Sequence, residues 1–182
     1  MITTRIDLED LAQAFDDTSP EASHYLDLDT GAVIRVDDET RREMEELLEG
    51  LEDSENRDAF CTPLVRHDLP DWQREFVELA YDVEFDARGR FRAIPAAESH
   101  EGYRDMEDFA DTVQDDKLGE LLGVALNGRG AFRRFKDVLV AYPDERDRWF
   151  RFKNERLRKR ALEWLASEKI GHQLSCKEIP SA

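Results

Sequence analysis

Apolar residues recur along this chain with two different periods, and the switches between them predict the elements. Leu8, Leu11 and Phe15 fall at helical spacing behind Asp7, a capping residue, and the polar run from Asp16 to Pro20 ends that short helix. In SHYLDLDTGAVIRV, Tyr25 and Asp27 alternate with Leu26 and Leu28, Asp29-Thr30-Gly31 supplies a turn, and Val33, Ile34 and Val36 resume a β-rich run. This is a hairpin. Met44, Leu47, Leu48 and Leu51 then form one stripe of a helix opened by Asp37 or Asp38, with Arg41 and Arg42 set four residues before Glu45 and Glu46. Residues 52–70 carry Pro63 and Pro70 and show no period, which predicts an irregular connection with a short strand from Thr62 to Val65. A helix starting at Asp71 carries Trp72, Phe76, Leu79 and Ala80. The run DVEFDARGRFRAIP after it reads as a strand pair turning at Arg88-Gly89, which brings the candidate strands to about four.

The second half is helical throughout. Behind Ser99, read as a cap, one helix presents Tyr103, Met106, Phe109, Ala110 and Val113, and a second presents Leu118, Leu121, Leu122, Ala125 and Leu126. Asn127 and Gly128 predict a left-handed end to the second helix. Two more helices follow, Ala131 to Tyr142 and Asp144 to about Glu168, broken at Pro143. Strands early and helices late predict an α+β fold, a small antiparallel sheet packed by helices with a helical C-terminal segment. The expected organisation is a single domain over residues 1–170, with the sheet in 1–98 and the helical part in 99–170, and a loose tail over 171–182.

Composition narrows the class. Of 182 residues, 40% are hydrophobic and 38% charged, with a formal net charge of -17, so the chain is acidic yet has enough apolar material for a core. No stretch approaches the roughly 20 apolar residues of a membrane span, and MITTRIDLEDL lacks the basic start and apolar run of a signal peptide. A soluble cytoplasmic protein with no membrane partner is expected. Cys61 and Cys176 are isolated, which suggests neither a disulfide framework nor a zinc site. The charge is also lopsided: residues 1–127 sum to -23 and residues 128–182 to +6. A basic face can bind an anionic partner within roughly a Debye length, about 8 Å, whatever the total charge. It can equally be neutralised by the chain's own carboxylates, and this reading ranks first.

The segments YLDLDTGAVI, AAESHEGYRDMEDFADTV and, most specifically, GRGAFRRFKDVLVAYPDERDRWFRFKNERLRKRALEWL resemble a bacterial uncharacterised protein family, UPF0158. The resemblance covers residues 24–51 and 94–168, whereas residues 52–93 look like an addition. It implies a small soluble bacterial protein and, because the family has no established activity, transfers no catalytic residue.

Motifs for chemistry are sparse. Asp29-Thr30-Gly31-Ala32 looks like the aspartate motif of retroviral-type aspartic proteases, but only one copy is present, the chain is largely helical, and Asp-Thr-Gly is ordinary hairpin-turn chemistry. His24, His67, His100 and His172 are scattered, so no metal site and no cofactor are expected. His100 lies among Glu98, Glu101, Asp105 and Asp108, the one gathering of imidazole with carboxylates, and would be the site of a hydrolase. Acidic residues in a first helical turn are more commonly there to complement the helix dipole. Catalytic residues are therefore not assigned, and a non-enzymatic role ranks above an enzymatic one.

The last helices carry the sharper candidate. At about 100° per residue, Trp149, Phe152, Lys153, Arg156 and Arg160 share one edge beside the apolar face of Phe150, Leu157, Ala161 and Trp164. The preceding helix adds Arg129, Arg133 and Lys136 opposite Phe132, Phe135, Leu139 and Tyr142. Arg133 and Arg134 oppose the dipole of their own first turn unless an anion or carboxylate sits there. The acidic helix from Glu43 to Glu52 could supply carboxylates, and Arg129 could cap the helix ending at Asn127. The expected function is a binding or regulatory protein that engages a macromolecular partner through this basic and aromatic face. A protein partner ranks first, and a nucleic-acid-binding regulator using the same surface is the alternative.

Overall fold

Asp7 closes a short strand, β1 (Thr4–Asp7), that brings Ile6 into the core but is too short for the period-2 pattern to reveal, and helix α1 (Leu8–Ala14) follows at once. The computed structural model describes residues 4–67 and 69–175, and its fold is α+β. The predicted hairpin is present. β2 (Ala22–Asp27) and β3 (Val33–Asp37) pair antiparallel with Tyr25 opposite Ile34, and helix α2 (Asp38–Leu48) starts behind Asp37, whose carboxylate accepts from the Thr40 amide at 3.0 Å. The Thr40 amide and hydroxyl hold the Asp37 carboxyl below its ordinary value against the opposing push of burial, as expected for a cap.

The predicted strand from Thr62 to Val65 is instead part of a helix, α3 (Arg57–Arg66). The Asn56 side chain accepts from the amides of Asp58 and Ala59, Phe60 and Leu64 are buried one turn apart, and Pro63 forgoes a single backbone bond. Helix α4 (Asp71–Glu84) likewise runs through the first half of the expected strand pair. Its buried stripe is Val77, Ala80 and Tyr81, so Trp72 and Phe76, expected on the packing face, are exposed. Only β4 (Phe91–Ile94) remains of that pair, and it adds to the free side of β2 to give the order β3-β2-β4.

Helices α5 (Ser99–Ala110), α6 (Asp116–Leu126), α7 (Ala131–Leu139) and α8 (Pro143–Ser167) stand where the apolar periodicity predicts them. Glu98, not Ser99, occupies the cap position of α5, and Asp115 caps α6 through the Leu118 amide. Gly128 and Gly130 both have positive φ, 87° and 78°, so the tight α6–α7 corner depends on glycine at these positions. Within the loose tail expected over 171–182, His172–Ser175 form β5, which pairs parallel with β1, and residues 176–182 lie outside the described residues. Its strand pairing is long-range and leaves no local trace. Cys176 lies outside the described residues.

The elements assemble into two compact units made of interleaved segments. The first takes both sheets with α2, α3 and α4. Its core joins Ile34 and Val36 of β3 to Met44 and Leu47 of α2 and to Phe60 and Tyr81, whose rings stack at 4.0 Å. The second takes α1 with α5 to α8, around Phe109, Phe135 and Trp149, which meet edge-on at 4.9–6.2 Å between centroids. Among the described residues, no helix is long and apolar enough to cross a membrane.

The Asp-Thr-Gly segment is explained within the first unit. Asp27, the last residue of β2, is buried; its two oxygens accept from Arg90 Nε at 2.9 Å and Nη2 at 2.6 Å, from the Thr30 hydroxyl at 2.7 Å and from the Asp29 amide at 2.9 Å. Asp29 itself is exposed, and Gly31 sits at φ 79°. Arg90, just before β4, thereby ties that strand to the hairpin turn. Burial pushes the Asp27 carboxyl up, but the Arg90 guanidinium, the Thr30 hydroxyl and the Asp29 amide outweigh it and hold the group at about 2. Asp27→Asn is expected to cost about 2 kcal/mol in urea unfolding at neutral pH, the scale of lost hydrogen bonds to a charged group. Since the folded-state value is depressed, this contribution is full above the ordinary carboxylate range and disappears as pH falls through about 2. The difference between parent and variant should therefore shrink on acidification, and a difference independent of pH from neutrality to about 2 would refute the assignment.

Candidate functional site on the helical unit

The residues singled out on α7 and α8 divide sharply by environment. Trp149 is only 4% exposed and belongs to the core, and Phe152 packs against it, so neither ring stands ready to stack on a ligand. Phe150, expected on the apolar face, is instead half exposed, as is Phe132 on α7, while Leu157, Ala161 and Leu165 are buried.

The α8 cations are mostly occupied. Arg160 Nη2 donates to both oxygens of Asp105 at 2.8 and 2.7 Å, and its Nε lies 3.8 Å from Glu101. Arg156 pairs with Asp108, stands 4.0 Å from Asp105, and lies over the Phe152 ring at 5.0 Å. Lys153 donates to Asp16 at 2.6 Å and Arg158 to Glu9. The carboxylates come from one stripe of α5, Glu101, Asp105 and Asp108, and from the α1 segment. Asp105 is buried, and Arg160 is the partner that compensates its charge.

On α7 the picture differs. Arg133 is 89% exposed, with Asp137 one turn on at 3.7 Å, a solvent-screened pair of little energetic weight. Arg129 and Lys136 are exposed, with no ion-pair partner among the described residues. The dipole conflict at the start of α7 is relieved by Arg134, whose guanidinium donates to the Asn127 carbonyl at the end of α6. That is the role expected of Arg129. Gly130, the cap of α7, contributes no side chain, so nothing else offsets the charge there.

His100 does not gather its neighbours into a catalytic cluster. It is 59% exposed with Nδ1 2.9 Å from Glu98, while Asp105 is committed to Arg160. A cavity of about 350 Å3 opens beside α5 and includes Glu101 and Asp105 in its lining, but His100 is not part of it. Among the described residues no group of His, Cys, Asp and Glu side chains has the arrangement of a metal site. Sequence reading passed over Asp105 and Asp16 as partners. The available signal was the spacing of Glu101, Asp105 and Asp108 on one face of α5, the acidic counterpart of Lys153, Arg156 and Arg160.

Comparison with known proteins agrees with the resemblance and shifts its limits. The model of an uncharacterised protein family, UPF0158, matches residues 64–178. The chain is 28% identical to the UPF0158 protein PA5073 of Pseudomonas aeruginosa, over 97% of this chain and 90% of that protein. Residues 64–93 fall within the family match, so the part of the chain carrying α4 and β4 is not an addition as expected. No solved structure matches the chain significantly.

Removal of the buried carboxylate should separate structural from superficial ion pairs. Asp105→Ala is expected to destabilise by about 3 kcal/mol because the mostly buried Arg160 guanidinium loses its closest partner. Lys153→Met, which breaks an outer pair, should cost less than about 1 kcal/mol. Urea unfolding of both variants checks the contrast, and equal costs would contradict it.

Proposed function

The chain belongs to the uncharacterised protein family UPF0158, and from that premise we propose that it is a binding or regulatory protein that engages an acidic protein partner through the outer edge of α7. The observation that carries this reading is the contrast between neighbouring helices. Lys153, Arg156, Arg158 and Arg160 of α8 are taken up by carboxylates of their own unit, whereas Arg129, Arg133 and Lys136 around α7 are left to solvent beside the exposed Phe132 ring. A cationic edge with an aromatic anchor suits a partner that brings carboxylates and an apolar contact, since guanidinium groups bind carboxylates in a forked geometry and aromatic side chains carry much of interface energy.

The same observation narrows the surface expected from sequence. Arg156, Arg160 and Lys153 serve the fold of the helical unit, and Trp149 and Phe152 serve its core, so the contact surface reduces to Arg129, Arg133 and Lys136 with Phe132. A binding role is favoured over hydrolysis because Asp105 already has its charge neutralised by Arg160 and the exposed His100 pairs with Glu98 outside the cavity that Asp105 lines. For nucleic acid, three available cations make a small footprint against an overall charge of -17.

A photo-crosslinking residue placed at Phe132 in the full chain, expressed in bacterial cells, tests the reading. A discrete protein adduct that is lost on combining Arg129→Glu, Arg133→Glu and Lys136→Glu is expected. An adduct removed by nuclease would transfer the surface to the nucleic-acid reading, and an adduct unchanged by the three reversals would end the proposal.

A further inference from the structure

The cavity of about 350 Å3 in the helical unit lies at the lower end of the volume range of small-molecule sites, about 300–1,000 Å3. Its inner surface is apolar, formed by Met106, Phe135, Trp149 and Leu157, all buried core residues. The Phe132 ring also lines it and rests against Gly102 of α5; a Cβ at Gly102 would stand 3.1 Å from the ring, so glycine is what lets the ring lie so close to the helix.

The charged groups around this apolar surface are unevenly matched. Asp105 is neutralised by Arg160, and Asp16 by Lys153. Glu101 reaches no closer than 3.8 Å to Arg160, which is beyond hydrogen-bond distance and leaves its oxygens available. Lys136 lines the same cavity with no carboxylate partner among the described residues. One free ammonium and one underused carboxylate therefore border a space bounded by aromatic rings.

We propose that this cavity is a binding site for a free amino acid with an aromatic side chain. Its carboxylate would meet Lys136, its ammonium Glu101, and its ring the apolar side of the cavity at Phe132. A simple anion would leave Glu101 unanswered and add charge to a lining where four carboxylates face three cations, and a simple cation would leave Lys136 unanswered. A zwitterion answers both, and a ring uses the apolar surface. This inference does not rest on the partner-binding reading, although Lys136 and Phe132 belong to both.

Isothermal titration of the full chain with L-phenylalanine, up to about 10 mM as suits so small a ligand, tests it together with two truncated analogues, 3-phenylpropionate and phenethylamine. One-to-one saturable binding of L-phenylalanine is expected, with each analogue weaker by at least about tenfold, the loss of one charge-assisted hydrogen bond. Lys136→Met should weaken L-phenylalanine by a similar factor and leave phenethylamine unchanged, and Glu101→Gln should weaken L-phenylalanine and leave 3-phenylpropionate unchanged. Both side chains are solvent-exposed, and unfolding midpoints equal to that of the parent verify that each variant folds. Absence of saturable binding overturns the proposal, as does binding that either substitution leaves intact. Combining Arg129→Glu with Arg133→Glu alters the α7 edge outside the cavity and should leave L-phenylalanine binding as it was, so failure of the surface reading and failure of this one are separately visible.

Discussion

The ion pair between Asp105 of α5 and Arg160 of α8 is the interaction on which the helical unit's electrostatics depend. A carboxylate buried as deeply as Asp105 is costly to leave charged unless a cation meets it with good geometry, and the Arg160 guanidinium meets both of its oxygens. Once that pair is set, α5 and α8 are in register along their contact. Asp108 meets Arg156 and Glu101 approaches Arg160, so an acidic stripe lies along a basic one. The 25-residue α8 carries Arg and Lys on several faces, and this arrangement neutralises the face that would otherwise oppose packing.

That constraint also sorts the basic segment into two classes, a distinction charge counting could not make. From sequence, residues 128–182 form one positive block. In the structure α8 turns Lys153, Arg158, Arg156 and Arg160 toward Asp16, Glu9 and the α5 stripe, whereas Arg129, Arg133 and Lys136 around α7 stay exposed. Arg133 and Arg134, for which the sequence offers the α2 helix, instead face Asp137 and the Asn127 carbonyl, and α5, packed on α8, supplies the carboxylates that meet Arg156 and Arg160. The helical phase of Glu101, Asp105 and Asp108 against Lys153, Arg156 and Arg160 was present in the sequence all along. It could be read only by asking which two stripes face each other.

The fold was legible where periodicity and turn chemistry agree. The Asp29-Thr30-Gly31 hairpin and the four C-terminal helices follow from alternation, from 3.6-residue spacing and from glycine at the α6–α7 corner. It was illegible where a local pattern had two readings. Asp82, Val83 and Glu84 alternate like a strand, yet they form the last turn of α4, with Val83 packed against the core that Val77, Ala80 and Tyr81 enter, and tertiary packing decides. Pro63 disguised α3, whose Asn56 cap and buried Phe60 and Leu64 outweigh one missing backbone bond. The parallel pairing of β1 with β5 joins the two ends of the described chain, and nothing within four residues at either end announces it.

Because Lys153, Arg156, Arg158 and Arg160 of α8 are compensated by the unit's own carboxylates, whereas Arg129, Arg133 and Lys136 stay exposed, the α7 edge and the cavity beside it are where charge is expected to meet an outside molecule. Arginine modification of the folded full chain by phenylglyoxal, followed residue by residue with peptide mass spectrometry, measures this directly. Fast modification of Arg129 and Arg133 and marked protection of Arg156 and Arg160 are expected. Modification of Arg160 at the rate of Arg129 in the still-folded protein would contradict this.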